Sequence, residues 1–208
     1  MRSRFKSWAK PYLDAHPDFV LKNVDSDSAF FEYEHLSLEI GSGKGAFLLQ
    51  MAAKFPSVHF LALERDVSIC GVLAKKIEES KLTNIRLIVS DFDDCFESLK
   101  GLGFDEVFLN FSDPWPKKKH AKRRLTTEGR LSKMEQLLKT AGLLKIKTDN
   151  DILFDFTVEE GTKTDLRLLL ALYDYRNIDE NDAMTEYESA FREEGKPIHR
   201  IIYQKKEK

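Results

Sequence analysis

The chain has 208 residues, 42% of them hydrophobic and 33% charged, with a formal net charge of −2. This is the make-up of an ordinary soluble globular protein, long enough for one well-buried domain, and it excludes a disordered chain and a generic polycation. No apolar run approaches the roughly 18 residues of a membrane-spanning helix and no signal-peptide core is present, so a cytoplasmic protein without a membrane partner is expected.

The elements follow in order. Residues 1–13 carry Arg2, Arg4, Lys6 and Lys10 with no acid and are expected to form a flexible basic arm on a single domain spanning 1–208. Leu36–Ile40 is predicted as a strand and Lys44–Lys54 as a helix, with Phe47, Leu48, Met51, Ala52 and Phe55 on one face. Val58–Glu64 is a second strand, and Asp66–Ser80 a helix capped by its first acid. Ile85–Val89 is a third strand, followed by a helical piece from Asp93 to about Lys100. Phe104–Phe111 is a fourth strand, Glu128–Lys139 a helix presenting Leu131, Met134, Leu137 and Leu138, Leu143–Thr148 a fifth strand and Asp151–Glu159 a helix. Leu166–Tyr173 and Ile198–Tyr203 are late strands, separated by an acidic segment read as a solvated face. Repeated β-α alternation with apolar strands implies a mostly parallel sheet covered on both faces, with ligands bound beyond the carboxyl ends of the strands.

Three features at those ends bear chemistry. Glu39-Ile40-Gly41-Ser42-Gly43-Lys44-Gly45-Ala46 joins the first strand to the first helix, and its small residues, Gly41 and Gly43 among them, permit close approach of a ligand. A P-loop is excluded because Leu38 and Gly45 stand where Gly and Ser/Thr are required. A dinucleotide fingerprint fits formally, with Glu64 placed for a ribose. A carboxylate at Glu39 suits an ammonium- and sulfonium-bearing cofactor such as S-adenosylmethionine better than a pyrophosphate. Asp91 is placed for an adenine amine, with strand-end or capping roles as the competing reading of both Glu39 and Asp91.

The second feature is Asp113-Pro114-Trp115-Pro116, an acid followed by two prolines that limit its wandering. The third follows directly: residues 117–124 hold six Lys/Arg in eight positions, suited to phosphates. Trp115 is left open between stacking on a base and packing inward. Cys70 and Cys95 have no metal-type spacing and are expected to be buried free thiols. His16, His35, His59, His120 and His199 form no ligand pattern, so no metal is expected.

With these residues in view, the chain resembles the bacterial tRNA (guanine-N7)-methyltransferase family, a class I S-adenosylmethionine-dependent group. The resemblance rests on Leu38–Gly45, on Phe108–His120 with its Asp-Pro-Trp-Pro-Lys-Lys-Lys-His string, and on Lys147-Thr148-Asp149-Asn150. It continues in Thr185-Glu186-Tyr187-Glu188 and Gly195-Lys196-Pro197-Ile198. It implies a Rossmann-like class I methyltransferase fold with an antiparallel last strand, acting on tRNA as a monomer or homodimer. Carried over by position, Glu39, Glu64, Asp91 and Asp113 contact the cofactor, which would lie against the loop glycines Gly41 and Gly43 read above as open to a ligand. Asp113 is also catalytic. Lys117, Asp149, Thr185, Glu186, Tyr187 and Glu188 contact the substrate, and Lys118, Lys119, Lys122, Arg123 and Arg124 the RNA backbone. The implied reaction moves a methyl group to N7 of guanosine at position 46 in the variable loop. Phe92 stands where members often carry a smaller residue, and the chain lacks the long amino-terminal extension of some members. For the tetrapeptide, a helix amino-terminal cap at Thr185 is the competing role. A methyltransferase acting on another base, a non-catalytic RNA-binding protein on the same fold, and a nicotinamide-dependent oxidoreductase are the alternatives.

Overall fold

The computed structural model describes residues 5–176 and 181–207. Arg2 and Arg4 of the basic segment, and Asp179 and Glu180 of the acidic one, lie outside the described residues. The chain divides into two compact units, Met1–Leu102 and Gly103–Lys208.

In the first unit, strands β1 (Val20–Leu21), β2 (Leu36–Ile40), β3 (His59–Glu64) and β4 (Ile85–Val89) run in the order β1-β4-β3-β2, each pair parallel. All five residues of β2 are buried, as in a strand covered on both faces. Helices α1 (Ala9–Asp14), α2 (Ser28–Phe31), α3 (Ala46–Lys54), α4 (Val67–Ser80) and α5 (Phe92–Leu99) accompany them, with a 3₁₀ turn over Val24–Asp27. The predicted apolar stripe of α3 is buried at Phe47, Leu48, Met51 and Ala52. The helix starts two residues later than expected, because Gly43 and Gly45 hold φ of 55° and 79° and keep the chain out of the right-handed region. Asp66 caps α4 as predicted, accepting from the backbone N–H of Ser68 and Ile69.

The amino-terminal segment is not a flexible arm where it is described. Ala9–Asp14 is helical, with Ala9 and Leu13 buried against α4, and the Lys6 N–H donates to Ser68 Oγ at 2.9 Å. Gly71 makes this docking possible, since a Cβ there would sit 2.5 Å from the Ala9 methyl.

In the second unit, β5 (Phe104–Asn110), β6 (Leu138–Thr148), β7 (Arg167–Leu172) and β8 (His199–Gln204) run in the order β5-β6-β8-β7. β5 and β6 are parallel, and the last strand is antiparallel to both its neighbours, as expected. Helices α6 (Glu128–Leu137), α7 (Asp151–Gly161) and α8 (Glu186–Glu193) accompany them, with a 3₁₀ turn over Lys118–Arg123. β6 begins five residues before the predicted Leu143. Its pairing with β5 jumps from Phe104↔Leu138 to Glu106↔Leu143, and the intervening bulge brings Gly142 so near the Phe104 carbonyl that a Cβ would lie 3.0 Å from it. Buried Leu131, Met134 and Leu137 on α6, and Leu153 and Phe154 on α7, supply helical core contacts. Each such side chain contributes about 1.5–3 kcal/mol of transfer free energy. Cys70 and Cys95 are buried free thiols.

Candidate active site

The glycine loop of the first unit is built by backbone geometry. Gly41 and Gly43 have φ of 75° and 55°, and a Cβ added at either would meet nothing within 4 Å. Their backbone therefore borders open space, the arrangement a ligand lying against the chain requires. Gly45 differs: its Cβ would lie 2.2 Å from Leu73 Cδ1, so this glycine serves packing of the loop onto α4. The turn is fastened by Ser42, whose hydroxyl donates to the Glu39 carbonyl at 2.9 Å, and by the Gly41 N–H donating to the Leu63 carbonyl at 2.7 Å.

Three carboxylates stand at the ends of the parallel strands. Glu39 is buried in β2, at 2% exposure. Glu64, the last residue of β3, accepts from the Gly43 N–H at 3.1 Å through one oxygen and from the N–H of Arg65 and Asp66, both at 2.9 Å, through the other. It thus braces the glycine loop against the strand it follows. Asp91 has the capping role weighed for it. One oxygen accepts from the Asp93 N–H at 3.1 Å at the start of α5, while the other faces Arg65 Nη1 at 3.3 Å.

In the second unit β5 delivers Asp113. The chain leaves the strand through Phe111, at φ 52°, whose N–H donates to the Lys147 carbonyl at 2.8 Å. A second left-handed residue, Trp115 at φ 40°, lies between the prolines. Left-handed backbone at non-glycine residues costs on the order of 1–2 kcal/mol each and is typical of functional turns. Asp113 is exposed, as are Lys117, Lys118, Lys119, Lys122 and Arg123. Trp115 is half-buried: its ring meets the edge of His120 at 5.8 Å and lies 5.0 Å from the Arg123 guanidinium.

Two expected substrate or RNA contacts sit elsewhere. Arg124 is 4% exposed, and its guanidinium donates to the carbonyls of Pro114 at 2.8 Å and Trp115 at 3.1 Å. A side chain consumed in this way is not a phosphate contact. Glu188 is wholly buried, with one oxygen 2.9 Å from Lys147 Nζ and the other 2.8 Å from Arg192 Nη2. Its role is to hold α8, not to reach into solvent. Thr185 caps that helix, accepting from the Glu188 N–H at 2.9 Å, while Glu186 and Tyr187 are exposed. Asp149 follows β6 half-buried, just before Asn150 caps α7.

The second unit brings several of these residues together. The Phe111 ring lies 6.5 Å from Tyr187 and 5.9 Å from Phe191, placing the start of α8 against the turn that carries Asp113. Phe111 and Phe191 were not foreseen, although the i, i+4 spacing of Tyr187 and Phe191 on one helix carries the signal. Among the described residues no cluster of His, Cys, Asp and Glu is arranged to hold a metal, and no helix is long and apolar enough to cross a membrane.

Comparison with known proteins agrees with this architecture. A family model described as a putative methyltransferase matches residues 33–201. The tRNA (guanine-N(7)-)-methyltransferase of Staphylococcus haemolyticus is 39% identical over 212 residues, covering 97% of this chain and 96% of its own. The enzyme of the same name from Limosilactobacillus reuteri is 36% identical over 97% of this chain and 98% of its own. Among solved structures, an antibiotic-related methyltransferase superposes with a TM-score of 0.66 at 14% identity, over 86% of this chain and 93% of that one. The 16S rRNA methyltransferase KamB gives 0.65 at 13% identity, over 88% and 94%. At those identities the structures establish the α/β methyltransferase fold alone. The near full-length sequence relationship goes further: the chain belongs to the tRNA (guanine-N(7)-)-methyltransferase family.

Proposed function

We propose that this protein transfers the methyl group of S-adenosylmethionine to N7 of guanosine 46 in the variable loop of tRNA. The observation that carries the reading is the exposed Asp113 at the end of β5, with five exposed cations in the next ten residues and the exposed Tyr187 beside the same turn. One acid and one aromatic ring thus adjoin a strip of exposed cations suited to phosphates.

The first unit fits the cofactor. The open backbone at Gly41 and Gly43 admits a ligand against the loop, and Glu39, Glu64 and Asp91 are the acids that hold its ammonium, ribose and adenine groups. When bound, S-adenosylmethionine supplies an electrophilic methyl group on a sulfonium sulfur. Guanine N7 already presents a lone pair, so no residue need remove a proton before attack. Asp113 serves the base: its carboxylate accepts from the donor edge of guanine and opposes the positive charge that develops on the purine. The rest is positioning, in which Lys117, Asp149, Thr185, Glu186 and Tyr187 seat the base and ribose. Lys118, Lys119, Lys122 and Arg123 bind phosphates, adding affinity without base identity.

The test is positional. After reaction with an unmodified tRNA transcript and the cofactor, borohydride reduction and aniline treatment cleave the chain at 7-methylguanosine. Cleavage at position 46 supports the reading, and cleavage elsewhere refutes the site.

A further inference from the structure

One cation in the basic run is turned away from solvent. We infer that Arg124 is a positioning residue for the reaction, holding the Asp113-Pro114-Trp115 turn in its productive shape; this rests on the assignment of Asp113 given above.

Pro114 and Pro116 have no N–H, so the segment cannot stabilise itself through a backbone ladder. Trp115 holds φ 40° although it precedes a proline, a position whose backbone is already restricted. Together with Phe111 at φ 52°, two left-handed residues flank the acid. Such conformations persist only where their surroundings over-determine them.

Arg124 supplies that determination. Its Nε and Nη2 donate to two successive carbonyls, those of Pro114 and Trp115, at 2.8 and 3.1 Å. A planar fork spans both acceptors at once, which a single ammonium cannot do. The guanidinium is fixed from its other side by the Phe156 ring of α7, 4.4 Å away. The Arg124 backbone is held in turn by Arg130, whose Nη1 donates to the carbonyls of Arg124 at 2.9 Å and Lys122 at 3.0 Å. The chain of support therefore runs from α6 and α7 through Arg124 to the carbonyls of Pro114 and Trp115, the two residues after Asp113. Its neighbours Lys118, Lys119 and Arg123 are exposed and have no such role. Misplacing a reacting group by about 1 Å is enough to lower turnover on the order of 100-fold.

The experiment compares Arg124→Met and Arg124→Lys with Lys118→Ala/Lys119→Ala, in steady-state methylation of tRNA by the full-length protein. A Trp8→Phe background leaves Trp115 as the only tryptophan, and its emission reports the turn directly. Both Arg124 variants are expected to lose about 10- to 100-fold in kcat, with KM for tRNA within about threefold of wild type and with shifted Trp115 emission. The double lysine variant is expected to raise KM, flatten its salt dependence and leave the emission unchanged. Should Arg124→Met fail to fold, Arg124→Lys keeps charge and stem and carries the test by itself. Unchanged kcat in a folded Arg124 variant, or a loss confined to KM with an altered salt slope, overturns the inference. An inactive wild-type protein would instead overturn the assignment of function.

Discussion

Lys147 Nζ lies 2.8 Å from the Asp182 carboxylate and 2.9 Å from that of Glu188, with all three side chains buried. Arg200 reaches the same Asp182 oxygen at 2.8 Å, so β6, β8 and α8 are tied by one charged cluster. Removing a single partner from such a cluster leaves a buried charge short of donors. Lys147→Met is therefore expected to destabilise the fold by about 3 kcal/mol, near the low end for a broken buried pair because Arg192 and Arg200 remain. Denaturant unfolding checks this, and a change in unfolding free energy below about a tenth of that size would contradict it.

The loop glycines separate packing from binding. Gly45→Ala is expected to cost about 1–3 kcal/mol by overpacking against Leu73, in addition to left-handed strain. Gly41→Ala carries only the strain, about 1 kcal/mol, but places a methyl in the open space beside the loop. It should weaken cofactor binding, measured by titration calorimetry, more than it lowers the unfolding midpoint. The opposite ranking would show that Gly41 serves the fold.

Neutralising Lys118, Lys119 and Arg123 together should weaken tRNA binding and reduce the slope of log K against log salt by roughly 2–3, at about 0.7–0.9 per phosphate contact. Thermal stability should hardly move, since all three are exposed. Filter binding over a salt series measures the slope, and an unchanged value would remove these residues from the RNA interface.

His59 links stability to pH. Its ring is stacked between Phe30 at 4.3 Å and Tyr33 at 3.5 Å, with Nδ1 donating to the Phe30 carbonyl at 2.9 Å. Burial holds its pKa below the ordinary histidine value, aided by the Arg86 charge and opposed by the Phe30 carbonyl and Asp27. The unfolded chain thus binds the proton more readily than the folded one. His59 contributes stability fully above the ordinary value, and that contribution is lost as pH falls towards the lower folded pKa. His16, raised chiefly by its bond to the Tyr12 carbonyl, acts in the opposite sense, so the difference between wild type and His59→Phe isolates the effect. An NMR titration midpoint for His59 above 6.5, the ordinary value, would contradict the account.

The parallel strands and their helices were legible because local pattern and tertiary environment agree. β2 and β4 begin and end where their apolar runs do, and Asp66 caps α4 from its own sequence position. Elements set by distant partners were not. α1 buries only Ala9 and Leu13, and its seat depends on the absence of a side chain at Gly71. α8 escapes a hydrophobic reading because its buried residue is Glu188, made tolerable by Lys147 from β6 and Arg192. In the candidate site, residue types at strand ends identified the acids, but the fate of Arg124 was hidden. It shares a basic run with five exposed cations, and only the carbonyls of Pro114 and Trp115 and the Phe156 ring distinguish it.

Methylation of guanine N7 in tRNA, with turnover dependent on Asp113, can be checked in one assay. Unmodified tRNA incubated with methyl-labelled S-adenosylmethionine and the wild-type or Asp113→Asn protein, then digested to nucleosides for mass analysis, tests it most directly. Label is expected in 7-methylguanosine for the wild type, with a large loss of rate for Asp113→Asn and its unfolding midpoint retained. Label in any other nucleoside, or an Asp113→Asn protein as fast as wild type, would contradict it.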